Sequence, residues 1–291
     1  MQLLLEGGHF YEGARWRDGH FWVSDLYAHQ VLKIAPDGHS EVVAELDDQP
    51  SGLGWLPGGD LLVVGMTKCQ LWRCPAGGKP SLHADLKALT RGFTNDMVVH
   101  PSGHAYVGTF GFELFEGEPP APGTLLRVDP QGRIAVAAEG LLFPNGMVIT
   151  ADGKTLIVAE TFGGRLSAFD IAADGSLSNQ RCWAQLGRMP PWDSVHSLLD
   201  TDFAPDGCAI DPQGRVWVAD ALGNRAVRVA EGGRILEEVR APDGLGLYSC
   251  ALGGMNGDTL LVCTAPDFSD VNRKAAAEAR LYTCTVSGTP T

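Results

Sequence analysis

Residues 145–158 read Asn145-Gly146-Met147-Val148-Ile149-Thr150-Ala151-Asp152-Gly153-Lys154-Thr155-Leu156-Ile157-Val158. The phrase is a polar residue, an apolar run, a turn glycine and a second β-rich run. It recurs from Glu12, Ser51, Asn95, Asp206 and Ser249, reaching turn glycines at Gly19, Gly59, Gly103, Gly214 and Gly257. With Gly153 included, the steps between these glycines are 40, 44, 50, 61 and 43 residues. Each glycine is followed by a strand-like run, such as Phe21-Trp22-Val23 or Val216-Trp217-Val218, and most units offer a third at positions such as 30–34, 124–128 and 226–229. Short strands broken by Gly, Pro and Asp turns read as an all-β array, and a repeat of about 40–50 residues with several strands per unit is the signature of a propeller. Six units predict an all-β, six-bladed β-propeller. Residues 2–5 precede the first unit and are expected to complete the last blade, closing the ring and protecting its edges. Residues 1–291 are then expected to form a single propeller domain, with one short helix at 272–280.

Composition agrees with that reading. Glycine accounts for 37 of 291 residues, about twice the usual share, which many tight turns explain. Lys plus Arg is 22 and Asp plus Glu is 35, a net charge of −13. Nucleic acid and anionic membrane both require clustered positive charge, so neither is an expected partner. The start, Met1-Gln2-Leu3-Leu4-Leu5-Glu6, lacks the long apolar stretch of a signal peptide or transmembrane helix. The seven cysteines are scattered and form no CxxC pair. Reduced thiols buried in strands, and hence a cytoplasmic setting, are the expectation.

In a propeller the first strand of each blade lines the central channel, so one repeat position forms a ring around the axis. Glu12, Ser51, Asn95, Asn145, Asp206 and Ser249 are expected to converge at one mouth. Two carboxylates and two amide oxygens meeting there suit a hard divalent cation. Without one, two close carboxylates repel and one tends to remain protonated.

Three motifs at these positions, Glu12-Gly13-Ala14-Arg15-Trp16, Phe143-Pro144-Asn145-Gly146-Met147 and Pro205-Asp206-Gly207, resemble those of the senescence-marker-protein (regucalcin)/gluconolactonase/luciferin-regenerating-enzyme family. The resemblance runs from Glu6 to about Val286. It implies a six-bladed propeller holding one divalent cation, Ca²⁺ foremost and Mg²⁺, Mn²⁺ or Zn²⁺ otherwise, and a metal-dependent lactonase that opens cyclic esters. It further implies Glu12, Asn145 and Asp206 as metal ligands, Asn95 as a substrate contact and Asp206 as the general base. The expected partner is a small lactone or ester. A phosphotriesterase-like hydrolase on the same metal, and a metal-binding propeller without catalysis, stay open at this point.

The chain departs from the family's sugar-lactonase pattern at one place. Phe93 stands where those members carry an arginine two residues before the substrate-contacting Asn, whereas Glu113 falls near their substrate glutamate. Trading the arginine for Phe93 removes a hydroxyl-binding partner and adds apolar wall, which points to a substrate less polar than gluconolactone. The longest step between turns contains an insertion, 183–205, that leads into Asp206. Its Trp192 and His196 are further candidates for substrate contact. Residues 113–123, stiffened by Pro119, Pro120 and Pro122, are a second candidate wall.

Overall fold

The computed structural model describes residues 1–287, arranged as six four-stranded antiparallel sheets around one axis. In blade 1, strands Tyr11–Arg17, His20–Asp25, Gln30–Ile34 and Ser40–Glu45 follow one another outward from the channel. Blades 2 to 5 repeat this order from inner strands Pro50–Trp55, Thr94–Val99, Pro144–Ile149 and Pro205–Ile210. Blade 6 is built from Gly246–Gly253, Thr259–Ala265 and Ala279–Thr285, and its outermost strand is Gln2–Gly8. That strand pairs antiparallel with Ala279–Thr285, from Gln2 opposite Thr283 to Gly8 opposite Ala279, so the N-terminus closes the ring.

The strands alternate apolar residues into the spaces between blades. Leu62, Val64 and Leu71 of blade 2 pack with Met97, Val107 and Leu126 of blade 3, all fully buried. Trp217 and Tyr106 are among the largest fully buried side chains; burial of each large apolar side chain contributes about 1.5–3 kcal/mol.

Each inner strand of blades 1 to 5 carries a bulge near its start, at its second and third residues in blades 2 to 5 and at its third and fourth in blade 1. In blade 5, for example, Pro205 faces Asp220 and Cys208 faces Val218. The third residue is glycine in four of these five blades because the next blade's strand lies against it. A Cβ on Gly146 would stand 2.4 Å from Asp206 O, and one on Gly207 would stand 2.2 Å from Ser249 Oγ. The X-Gly dipeptide of the repeat is thus a close-approach motif around the channel.

Two expectations require correction. The C-terminal helix is Asp270–Ala275, not 272–280. Ser269 caps it earlier by accepting from Asn272 N at 3.4 Å, while Ala279 onward is claimed by the closing sheet. The sixth ring position is also displaced by one residue. In blade 6 Leu247 pairs with Thr264 and Ser249 with Cys263, so the bulge falls on Tyr248. Tyr248 faces the channel mouth, whereas the fully buried Ser249 uses its Oγ to accept from Ala14 N at 3.3 Å. All seven cysteines are free; five are buried, Cys182 is exposed and Cys284 is partly buried. No described helix is long and apolar enough to cross a membrane.

Candidate metal and substrate site

At one mouth of the channel is a cavity of about 300 Å³. Its polar floor brings together Glu12, Ser51, Asn95, Asn145 and Asp206, each the second residue of an inner strand. Asp206 is buried and Glu12 half-buried on this floor, and desolvation, followed by the neighbouring carboxylates, raises both well above the usual carboxylate range. Asp206 Oδ1 is buried without a hydrogen-bond partner. The two amides are oriented by their nitrogens. Asn95 donates from Nδ2 to Pro144 O at 3.3 Å, and Asn145 donates to Thr161 Oγ1 at 3.3 Å. Thr161 in turn donates to Pro205 O at 2.8 Å. Both amides thus stand beside the Glu12 and Asp206 carboxylates with their nitrogens engaged.

This set fits a hard cation. No group of three or more His, Cys, Asp or Glu side chains gathers to hold a metal among the described residues. A cation here would therefore use amide oxygen as well as Glu12 and Asp206. Oxygen donors alone, with an orphaned acceptor among them, match Ca²⁺ or Mg²⁺ better than a soft metal.

Below the floor Arg15 ties the inner strands of blades 1, 2 and 3 together. Its guanidinium meets Asp96 Oδ1 at 2.6 Å and donates to Leu53 O at 3.1 Å and Met97 O at 2.5 Å. Burial raises the Asp96 carboxyl, and Arg15 opposes that rise.

The wall above the floor is also written in the repeat. The residue two before each ring position hydrogen-bonds through its carbonyl to the residue just beyond the blade's second strand. These pairs are Leu26 N to Phe10 O (2.9 Å), Met66 N to Gln49 O (2.8 Å), Phe110 N to Phe93 O (2.8 Å), Thr161 N to Phe143 O (3.1 Å) and Ala221 N to Ala204 O (3.0 Å). Leu26, Met66, Phe110, Thr161 and Ala221 all line the cavity, as do Phe10, Phe143 and Ala204. Buried carboxylates pin several of the incoming loops. Asp25 accepts from Phe10 N at 3.2 Å, Glu160 from Leu142 N at 2.7 Å and Asp220 from Ala204 N at 3.0 Å.

Phe143 has φ 64°, a left-handed backbone that a bulky side chain rarely adopts. Such a conformation costs on the order of 1–3 kcal/mol. Its ring is held between Phe110 at 4.3 Å and Phe162 at 4.8 Å. On the other side, Phe10 lies 4.8 Å from Tyr248, which lies 6.3 Å from Phe268. Sequence reasoning used the position two before the ring only at Phe93. Applied to all six units, it would also have found Phe10, Phe143 and Ala204.

The remaining candidates stand farther out. Phe93 is half-buried behind the wall, its ring 5.7 Å from Phe110. Glu113 is not among the lining residues, but its neighbour Leu114 is. Trp192 sits edge-on to Phe162 at 6.4 Å, one ring removed from the cavity. His196 is exposed on a short helix, Val195–Leu198; this insertion reaches the cavity through Val195 and Leu199 instead.

A family model described as the SMP-30/Gluconolactonase/LRE-like region matches residues 10–266. Regucalcins from Gallus gallus and Homo sapiens are each 28 % identical over 183 residues, covering 60 % of this chain and 56 % of theirs. The matched stretch thus spans little more than half the length of those relatives. Among solved structures, the chain is similar to a luciferin-regenerating enzyme with TM-score 0.78 and 21 % identity, covering 99 % of this chain and 95 % of that one. It is similar to a calcium-binding regucalcin from Agrobacterium tumefaciens with TM-score 0.76 and 21 % identity, at 99 % and 95 % coverage. A gluconolactonase from Xanthomonas campestris gives TM-score 0.73 and 21 % identity, at 97 % and 89 % coverage. At these identities the structural likenesses bear on the fold.

Proposed function

The chain belongs to the SMP-30/gluconolactonase/LRE-like family, and from that premise we propose that it is a divalent-metal-dependent hydrolase of lactones, with Glu12, Asn145 and Asp206 as the metal ligands. The observation that carries this reading is the floor itself. Two carboxylates, buried Asp206 and half-buried Glu12, meet two amides at the bottom of a largely apolar cavity, with Asp206 Oδ1 lacking a partner. A structural role alone gives no reason to bring two like charges together there, since withdrawing even one from water costs several kcal/mol.

When bound, a divalent cation at these ligands supplies Lewis-acid polarisation of the ester carbonyl and a counter-charge for the developing oxyanion. The chain's own groups do the rest. Asp206, a buried carboxylate on the floor, takes the proton from the attacking water. Asn95, its amide nitrogen held by Pro144 O, offers its oxygen to the substrate. Thr161 holds Asn145 in register. The aromatic wall excludes water and favours a lactone less polar than gluconolactone.

The test is hydrolysis of δ-lactones followed with a pH indicator. Asp206→Ala should lower kcat by 10²-fold or more, the span general-base catalysis supplies, in a protein with unchanged circular dichroism. Full turnover by that variant would refute the assignment.

A further inference from the structure

Directly above the ring of ligands lies the second ring of repeat-equivalent residues, Leu26, Met66, Phe110, Thr161 and Ala221, each fixed by the same backbone hydrogen bond to the chain entering the inner strand. Four of the five are apolar. The fifth, Thr161, has its hydroxyl engaged with Asn145 and Pro205 O. Above this tier stand Phe10, Phe143, Phe162, Tyr248, Leu199 and Phe268, the last two more than 40 % exposed at the rim. Among the lining side chains, the polar ones outside the floor are Thr161 and two tyrosines, and the Tyr27 hydroxyl is hydrogen-bonded to Asp270.

We infer that this apolar tier selects a lactone bearing a hydrophobic substituent of about the size of a phenyl ring, the carbonyl on the floor and the substituent against Met66, Phe110 and Phe162, pointing out between Leu199 and Phe268. The inference rests on the lactonase reading and adds to it the substrate class and the residues that choose it. The chemistry is an asymmetry of partners. A polyhydroxylated ring entering this cavity exchanges water for hydrocarbon at each hydroxyl, and those groups then lack hydrogen bonds. A hydrophobic substituent loses nothing and gains contact area. Because the tier is set by one repeat position, single substitutions at its four apolar members change what faces the substrate without removing a hydrogen bond to the floor.

The experiment compares kcat/KM of the cation-loaded enzyme on δ-valerolactone, δ-phenyl-δ-valerolactone and glucono-δ-lactone. Calorimetric binding of the ring-opened products, 5-hydroxy-5-phenylpentanoate and gluconate, runs in parallel. The phenyl lactone should exceed δ-valerolactone at least 10-fold and the sugar lactone by about 100-fold, the usual reach of a hydrophobic pocket. Met66→Gln, close in shape but amide-bearing, should narrow the phenyl-to-sugar ratio about 10-fold. Ala221→Ser should shift it the same way should Met66→Gln fail to fold. Sugar lactone equal to or better than the phenyl lactone would overturn the inference while leaving the lactonase reading intact. With no lactone hydrolysed, tighter binding of the phenyl acid than of gluconate keeps the cavity inference and removes the lactonase reading; equal binding removes both.

Discussion

Replacing Asp206 by Asn should stabilise the cation-free protein and destabilise the cation-loaded one relative to wild type. Asp206 is buried on the cavity floor with Glu12 half-buried beside it, each raised by desolvation and by its acidic neighbours. Asp206 Oδ1 has no donor to satisfy it. An unsatisfied buried acceptor costs about 1–3 kcal/mol, and a like-charged neighbour adds to that cost. An isosteric amide removes the charge, so the stripped variant should gain about 2 kcal/mol. That corresponds to a rise in Tm of about 3 °C for a chain of 291 residues. Calcium reverses the order. At a hundredfold excess over Kd the wild type gains about 2.7 kcal/mol, and the variant, lacking one ligand charge, gains much less. Differential scanning calorimetry of both proteins, chelated and then with added Ca²⁺, reads all four states. If the stripped variant melts below stripped wild type, or Ca²⁺ raises both equally, the shared-ligand account of Glu12 and Asp206 is wrong.

Three further outcomes follow from the same geometry. Thr161→Val removes the acceptor that orients the Asn145 amide; Ca²⁺ affinity measured by calorimetry should fall 10- to 100-fold, as for other supports of metal ligands, while unfolding is little changed. Arg15→Met strands Asp96, whose side chain is only 3 % exposed and already has one unpartnered oxygen, so urea unfolding should show a loss of about 3–5 kcal/mol. Far from the site, burial tends to raise Asp211, but hydrogen bonds from the Arg215 backbone and the Arg228 guanidinium outweigh it and hold the carboxyl below its usual range. Its contribution is therefore present above about pH 4, near the unfolded value, and is lost as pH falls through the folded one. The stability gap between wild type and Asp211→Asn should be constant from pH 7 to 5 and shrink below pH 4; a gap that widens in acid would reverse the sign.

Much of this was visible in the chain because a propeller writes its geometry as a repeat. Once Glu12, Asn95, Asn145 and Asp206 share a position, their convergence follows from the fold, and the structure places all four on one floor. The same logic misplaced the sixth member. Counting back from Gly257 gives Ser249, but the inner strand of blade 6 runs one residue farther from its ring position to its end at Gly253 than those of blades 2 to 5, and pairing rather than spacing puts Tyr248 at the mouth. Phe93 was read as wall because it precedes Asn95 by two, yet the equivalent Phe10 and Phe143 reach the cavity while Phe93 backs Phe110. That difference lies in side-chain packing, which spacing does not encode. The 183–205 insertion is irregular, so nothing in its sequence distinguished Val195 and Leu199, which line the cavity, from Trp192 and His196, which do not. The helix at 272–280 was shifted for a different reason: its alanine-rich half has helical propensity, but Ala279 is needed opposite Gly8 to close the ring.

The central claim is that the floor of the cavity works with a divalent cation. The direct measurement is lactone hydrolysis by protein stripped with chelator, then reloaded with Ca²⁺, Mg²⁺, Mn²⁺ or Zn²⁺, alongside Glu12→Gln treated identically. The account predicts that turnover disappears on stripping, returns with at least one of these cations in wild type, and does not return in Glu12→Gln. Turnover that survives complete removal of the cation, or that Glu12→Gln recovers in full, would contradict it.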